Sequence, residues 1–79
     1  MNDALRQAMA LHRAGRLQEA DGQYAAVLRA DPAQAQALRL RGILARDTGN
    51  HELSLKLLRK AADAAPGDPG TRTVLLRLF

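Results

Sequence analysis

Residues 14–32 read AGRLQEADGQYAAVLRADP, and residues 48–66 read TGNHELSLKLLRKAADAAP. Laid on each other with a shift of 34 residues, Gly15 meets Gly49, Tyr24 meets Leu58, Leu28 meets Ala62 and Pro32 meets Pro66. Working outward, Ala8 meets Gly42 in the same register. A period in this range marks a stacked array in which each unit is one supersecondary element. Such arrays present extended surfaces to partners more than they enclose reactions.

The spacing predicts two helical hairpins and a fifth helix. The first helix spans about Asp3 to Ala14, with Asn2 as its cap, and stops at Gly15, a residue that takes the left-handed conformation that ends helices. The second begins near Leu17 and puts Leu17, Ala20, Tyr24, Val27 and Leu28 on one face. Asp31-Pro32 breaks it, and Asp31 with Gln34 is expected to form a capping box for the next helix, Ala33 to Thr48. That helix aligns Leu38, Gly42 and Ala45. A fourth, about Glu52 to Ala64, carries Leu55, Leu58, Ala61 and Ala62. After the turn Pro66-Gly67-Asp68-Pro69-Gly70, Asp68 as cap and Pro69 at the first helical position launch a last helix to Phe79. Small residues at Ala8, Gly42, Ala20 and Ser54 let helix axes approach to about 8–10 Å, and Tyr24 and Leu58 fill the wider gaps.

The 79 residues suffice for one small domain, 47% hydrophobic but 3% aromatic, rich in the helix formers Ala and Leu. There is no cysteine, which excludes disulfides and zinc–thiolate sites and fits a reducing compartment. No apolar run reaches the roughly 18–20 residues of a membrane span, and residues 1–13 lack a signal-peptide core, so a cytoplasmic location is expected. The net charge is +4, with ten arginines against two lysines.

These residues resemble the tetratricopeptide repeat. The first unit supplies Ala4, Ala8, Leu11, Ala20, Tyr24, Val27 and Pro32, and the second Leu38, Gly42, Ala45, Ser54, Leu58, Ala61 and Pro66. Gln7 and Arg41 depart from the Leu that usually precedes the small residue. The resemblance implies an all-α fold of five helices, a right-handed superhelical stack of antiparallel hairpins. It divides the chain into repeat 1 (1–34), repeat 2 (35–68) and a terminal helix (69–79). It also implies a protein-interaction module of bacterial type whose first and third helices line a concave groove. The expected groove residues are Leu5, Arg6, Met9, His12 and Arg13, then Arg39, Leu40, Ile43, Arg46 and Asp47, then Thr73, Val74 and Arg77.

The first, third and last helices together carry a net charge of +5, leaving −1 for the rest of the chain. Arginines among Met and Leu suit a protein or peptide segment with acidic and apolar residues. The competing reading is a solvated basic face whose apolar residues pack locally. Capture of a terminal carboxylate by Lys and Asn is not expected, because the matching positions are Leu5, Met9, Leu40, Gly70 and Val74. Leu53 and Leu57 stand where the first repeat has Glu19 and Gln23, which predicts a cover: the last helix, a second copy in a dimer, or a further domain. The apolar run around Val74, Leu75, Leu76, Leu78 and Phe79 suggests a piece of a longer protein or self-association. One such setting is an accessory region ahead of a glycosyl- or sulfotransferase-like enzyme.

Catalysis by this chain, a cofactor and a metal site are not expected. His12 and His51 lie on different helices, no phosphate loop is present, and the lone serine, Ser54, falls at a packing position. Nucleic acid is a weaker reading than protein, since Tyr24 and Phe79 are the only aromatics for base stacking. Membrane binding is not expected.

Overall fold

Among the described residues five helices follow one another: α1 (Asp3–Arg13), α2 (Leu17–Ala30), α3 (Ala35–Asp47), α4 (His51–Ala64) and α5 (Pro69–Leu78). The computed structural model describes residues 3–78, with the side chains at 75, 77 and 78 outside that description. The expected cap at Asn2 and the helix end at Phe79 lie outside the described residues. α1 packs on α2 and α3 on α4 as hairpins; α2 packs on α3 to join them, and α5 packs on α4. No strand occurs among the described residues.

Both hairpins turn in the same way, as the repeated glycines predict. Gly15 and Gly49 sit at φ +81° and +86°, the left-handed region where a Cβ is strained. The Arg16 N–H donates to Leu11 O at 2.9 Å and the Gly15 N–H to His12 O at 3.1 Å. The Asn50 and Gly49 N–H groups repeat this with Ala45 O (2.8 Å) and Arg46 O (3.0 Å). These paired bonds satisfy carbonyls that the ending helix leaves without partners.

The connection between the hairpins differs from the expected capping box. Gln34, not Asp31, caps α3: its side chain accepts the Ala37 N–H at 2.9 Å, and the helix starts at Ala35 rather than Ala33. Asp31 is spent on the turn over Pro32, where its carboxylate accepts the Ala33 N–H at 3.3 Å and its carbonyl the Gln34 N–H at 3.1 Å. An Asx side chain that folds onto the backbone two residues on is a turn former first.

Two small–large contacts close the hairpins. Ala8, Ala20 and Tyr24 are fully buried in the first; in the second, Ser54 and Leu58 are fully buried against Gly42. A Cβ on Gly42 would lie 2.8 Å from Leu58 Cγ. The Ser54 hydroxyl donates to Gly42 O at 2.7 Å across the same contact. Leu5, Val27, Ala37 and Leu44 complete the core around Tyr24. Leu38, Leu57 and Ala61 form a second cluster, with Leu28 and Leu53 packed against it.

α5 is held at its first turn. Asp68 Oδ1 accepts the Gly70 N–H at 3.1 Å and Oδ2 the hydroxyl of buried Thr71 at 2.9 Å, and Arg39 Nη1 lies 3.6 Å from that same Oδ2. The Thr71 hydroxyl, the Gly70 N–H and the Arg39 charge together hold the Asp68 carboxyl below the ordinary aspartate value.

The same glycine substitution is expected to act with opposite sign at two helical positions. Gly42→Ala gains helix propensity but drives a methyl into Leu58, for a net loss of about 1–2 kcal/mol in urea unfolding. Gly22→Ala on α2 meets nothing within 4 Å and gains about 0.5–1 kcal/mol. A second expectation concerns pH. Because the folded Asp68 binds its proton less readily than the unfolded chain, the anchorage of α5 is complete above the ordinary aspartate range. It is lost as pH falls through the depressed value. Amide exchange at Gly70 and Thr71 should accelerate in that acid window, and Asp68→Asn should remove the transition.

Candidate functional site

Helical spacing places Met9, His12 and Arg13 within one turn on α1, and the packing of the two hairpins sets Leu40 of α3 opposite them. Between them lies a notch of about 220 Å³ lined by Met9, His12, Arg13, Tyr24 and Leu40. Four of the five are expected groove residues. Met9 and Leu40 are half-buried against the core and form its apolar walls, and Arg13 is exposed at its rim.

His12 joins three helices at the floor of this notch. Its Nδ1 lies 3.2 Å from Tyr24 Oη on α2, and the rings meet edge to face with centroids 6.0 Å apart. Its Nε2 lies 3.5 Å from Asp47 Oδ2 at the end of α3, and Asp47 Oδ1 accepts a bond from Arg46 at 3.3 Å. Burial pushes the Tyr24 phenol above its ordinary pKa, partly offset by the Arg13 charge, so the hydroxyl keeps its proton.

Tyr24 was expected as a gap filler, and its part in the notch went unread. The signal was present: a buried tyrosine hydroxyl needs a polar partner, and on α2 that partner must come from a neighbouring helix. Asp68 as the partner of Arg39 also went unread, although its capping role was legible.

The structure distributes the remaining expected residues differently. Leu5 does not line the groove: it is 6% exposed and belongs to the core around Tyr24, one position along α1 from Ala4, which was expected to pack there. Arg6 is exposed on α1, and Ile43 and Val74 are half-buried on α3 and α5. Arg46 is engaged with Asp47. Arg39 pairs with Asp68 and packs against the Gly70 backbone; a Cβ there would overlap its guanidinium, so this arginine anchors α5. Arg41, counted among the basic helices, turns the other way and donates to Asp21 on α2 at 2.8 Å. Thr73 is exposed and donates to Pro69 O. The side chain of Arg77 lies outside the described residues.

Leu57 does not form an open self-association surface. It is 5% exposed and clustered with Leu38 of α3 and Ala61, so among the described residues α3 contributes to the cover that its apolar character predicted. Leu53 is half-buried and lines a second depression of about 330 Å³ with Leu17, Gln18, Asp21, Leu44, Ala45, Thr48 and Asn50. No cation lines that depression, and its one carboxylate, Asp21, is already paired with Arg41. Leu76 on α5 is a large apolar side chain left 70% exposed.

Among the described residues, no helix is long and apolar enough to cross a membrane, and no group of His, Asp and Glu is placed to hold a metal ion. No curated protein is matched by the sequence. The model of the family described as tetratricopeptide repeat does match, over residues 5–69, from the first buried leucine to the first residue of α5. Paired hairpins closed by small residues, identical glycine turns and a match over most of the length lead to one assignment: the chain belongs to the tetratricopeptide repeat family.

Proposed function

We propose that the chain is a protein-interaction module that binds a partner segment carrying acidic and apolar residues along the face of α1 and α3. Tetratricopeptide repeats in general mediate protein–protein interactions, and that general role applies to this domain. The observation that carries the finer reading is the notch between Met9, His12, Arg13 and Leu40. It pairs two adaptable apolar walls with an arginine that has no carboxylate partner among the described residues. An apolar side chain set between Met9 and Leu40, with a carboxylate one or two residues away on Arg13, satisfies both features.

This reading assigns no catalytic step to the chain. Nucleic acid fits less well, since Tyr24 is fully buried and offers no face on which a base can stack. The lack of cysteine suits a cytoplasmic setting for such an adaptor. A role as the accessory region of a larger enzyme is compatible with the same groove, because recruitment and catalysis then reside in different parts of one protein.

The test is a panel of short peptides with alternating Glu and Leu, titrated against the domain at low salt and followed by nuclear magnetic resonance. Shifts are expected to centre on Met9, Arg13 and Leu40. Arg13→Glu and Leu40→Glu should each weaken binding about tenfold or more, while Lys56→Glu on exposed α4 should change it less than about twofold. Equal losses for all three variants, or tighter binding of an oligonucleotide than of any peptide, would overturn the reading.

A further inference from the structure

The 34-residue register continues into α5 and meets a mismatch there. Thr71 falls at the position of Ala37 and is buried like it, while Arg72 and Leu76 fall at the positions of Leu38 and Gly42. In α3 those two positions close the hairpin: Leu38 clusters with Leu57 and Ala61 of α4, and Gly42 lies against Leu58. In α5 both are exposed, Leu76 at 70%. A helix closing on α5 as α4 closes on α3 would meet a charge in place of a leucine. It would also meet a whole leucine side chain where the second repeat has no room for a methyl. The face therefore suits a partner of another shape: an apolar hollow for Leu76, with a carboxylate within about 6 Å for Arg72 one turn back. Arg72 has no ion pair among the described residues.

The chain carries such a hollow itself. The depression of about 330 Å³ between α2, α3 and α4 is walled by Leu17, Leu44, Ala45 and Leu53, and no cation lines it. Glu52 adjoins it, bordering a neighbouring hollow that shares Asn50 and Leu53. Glu52 is exposed and makes no ion pair with Lys56 one turn on, so its charge is open to a partner. No residue of α5 lines either hollow, so the two features do not meet within one molecule. We propose that two copies of this chain associate through these unlike surfaces: Leu76 of one enters the Leu17–Leu53 depression of the other, and its Arg72 pairs with Glu52 there. Pairing of two α5 faces with each other is the poorer solution, because α5 carries no acidic residue to receive Arg72. The contact is heterologous, and every copy offers both halves of it. It goes beyond the groove reading and is independent of it, since none of these residues lines the notch at Met9 and Leu40.

The test measures the solution mass of the full chain by sedimentation over about a hundredfold range of concentration. The mass is expected to rise above that of one chain as concentration increases. Leu76→Gln removes the inserted side chain, and Gln18→Lys combined with Glu52→Lys puts cations at the rim of the receiving surface; all three positions are exposed, so the core stays intact. Each variant alone should weaken association about tenfold or more. Mixed in equal amounts, they should regain a heavier species, because the first variant keeps the hollow and the second keeps Leu76. Arg13→Glu, in the notch, should leave the mass unchanged. A single chain at every concentration overturns the proposal, as does undiminished association of either variant. A mixture that stays monomeric, or association lost in Arg13→Glu, overturns it too. Peptide binding at the notch is measured separately, and its loss or survival does not bear on these masses.

Discussion

The contact at Gly42 fixes the distance between α3 and α4, and the rest of the architecture takes its measure from it. Where the backbone of one helix touches the side chain of the next, no slack remains: the space a methyl would need is occupied by Leu58, and Ser54 bonds to the Gly42 carbonyl at 2.7 Å. With that spacing set, α3 has one flank left for α2, where Ala37 and Leu44 enter the core around Tyr24. The first hairpin solves the same problem with Ala8 and Ala20 around a tyrosine in place of a leucine. The substitution matters beyond volume. Tyr24 fills the gap as Leu58 does, but it ends in a hydroxyl that reaches His12, so the first hairpin carries a polar end that the second lacks.

The repeat itself was legible because period, glycine turns and small-residue spacing are all local in the sequence. Gly15 and Gly49 needed only their own backbone to be read, and the five helices followed. What escaped depends on competition between groups that local patterns cannot rank. Asp31 and Gln34 both suit a cap, and the turn over Pro32 claimed the aspartate. Ala4 and Leu5 both border the packed face of α1, and a rotation of less than one residue decides that the larger one goes inside. Leu57 stood out as needing a cover, but that Leu38 of α3 contributes to it is a tertiary fact.

Charge tells a similar story. Counted along the sequence, the first and third helices look basic on balance, with five arginines against Asp3 and Asp47. In three dimensions Arg39 is drawn to Asp68, Arg41 to Asp21 and Arg46 to Asp47. A tally of arginines therefore overstates the field of the groove, since each of these charges is offset within about 4 Å and adds little at the distance of an approaching partner. What distinguishes this face is the notch where His12 and Arg13 adjoin apolar walls. Recognition on such a surface depends on the fit of one or two side chains more than on long-range attraction.

Each helix packs chiefly on its neighbours along the chain. That pattern makes the domain a zipper under tension. A load applied to its two ends meets the contacts in series, so helices peel one at a time and no shear plane shares the force. α5 is fastened at its first turn through Asp68, and the Gly42 contact lies two helices further in. A partner docked across α1 and α3 would reinforce the thin contact that His12 and Asp47 make between them, so its binding would also act as a mechanical brace.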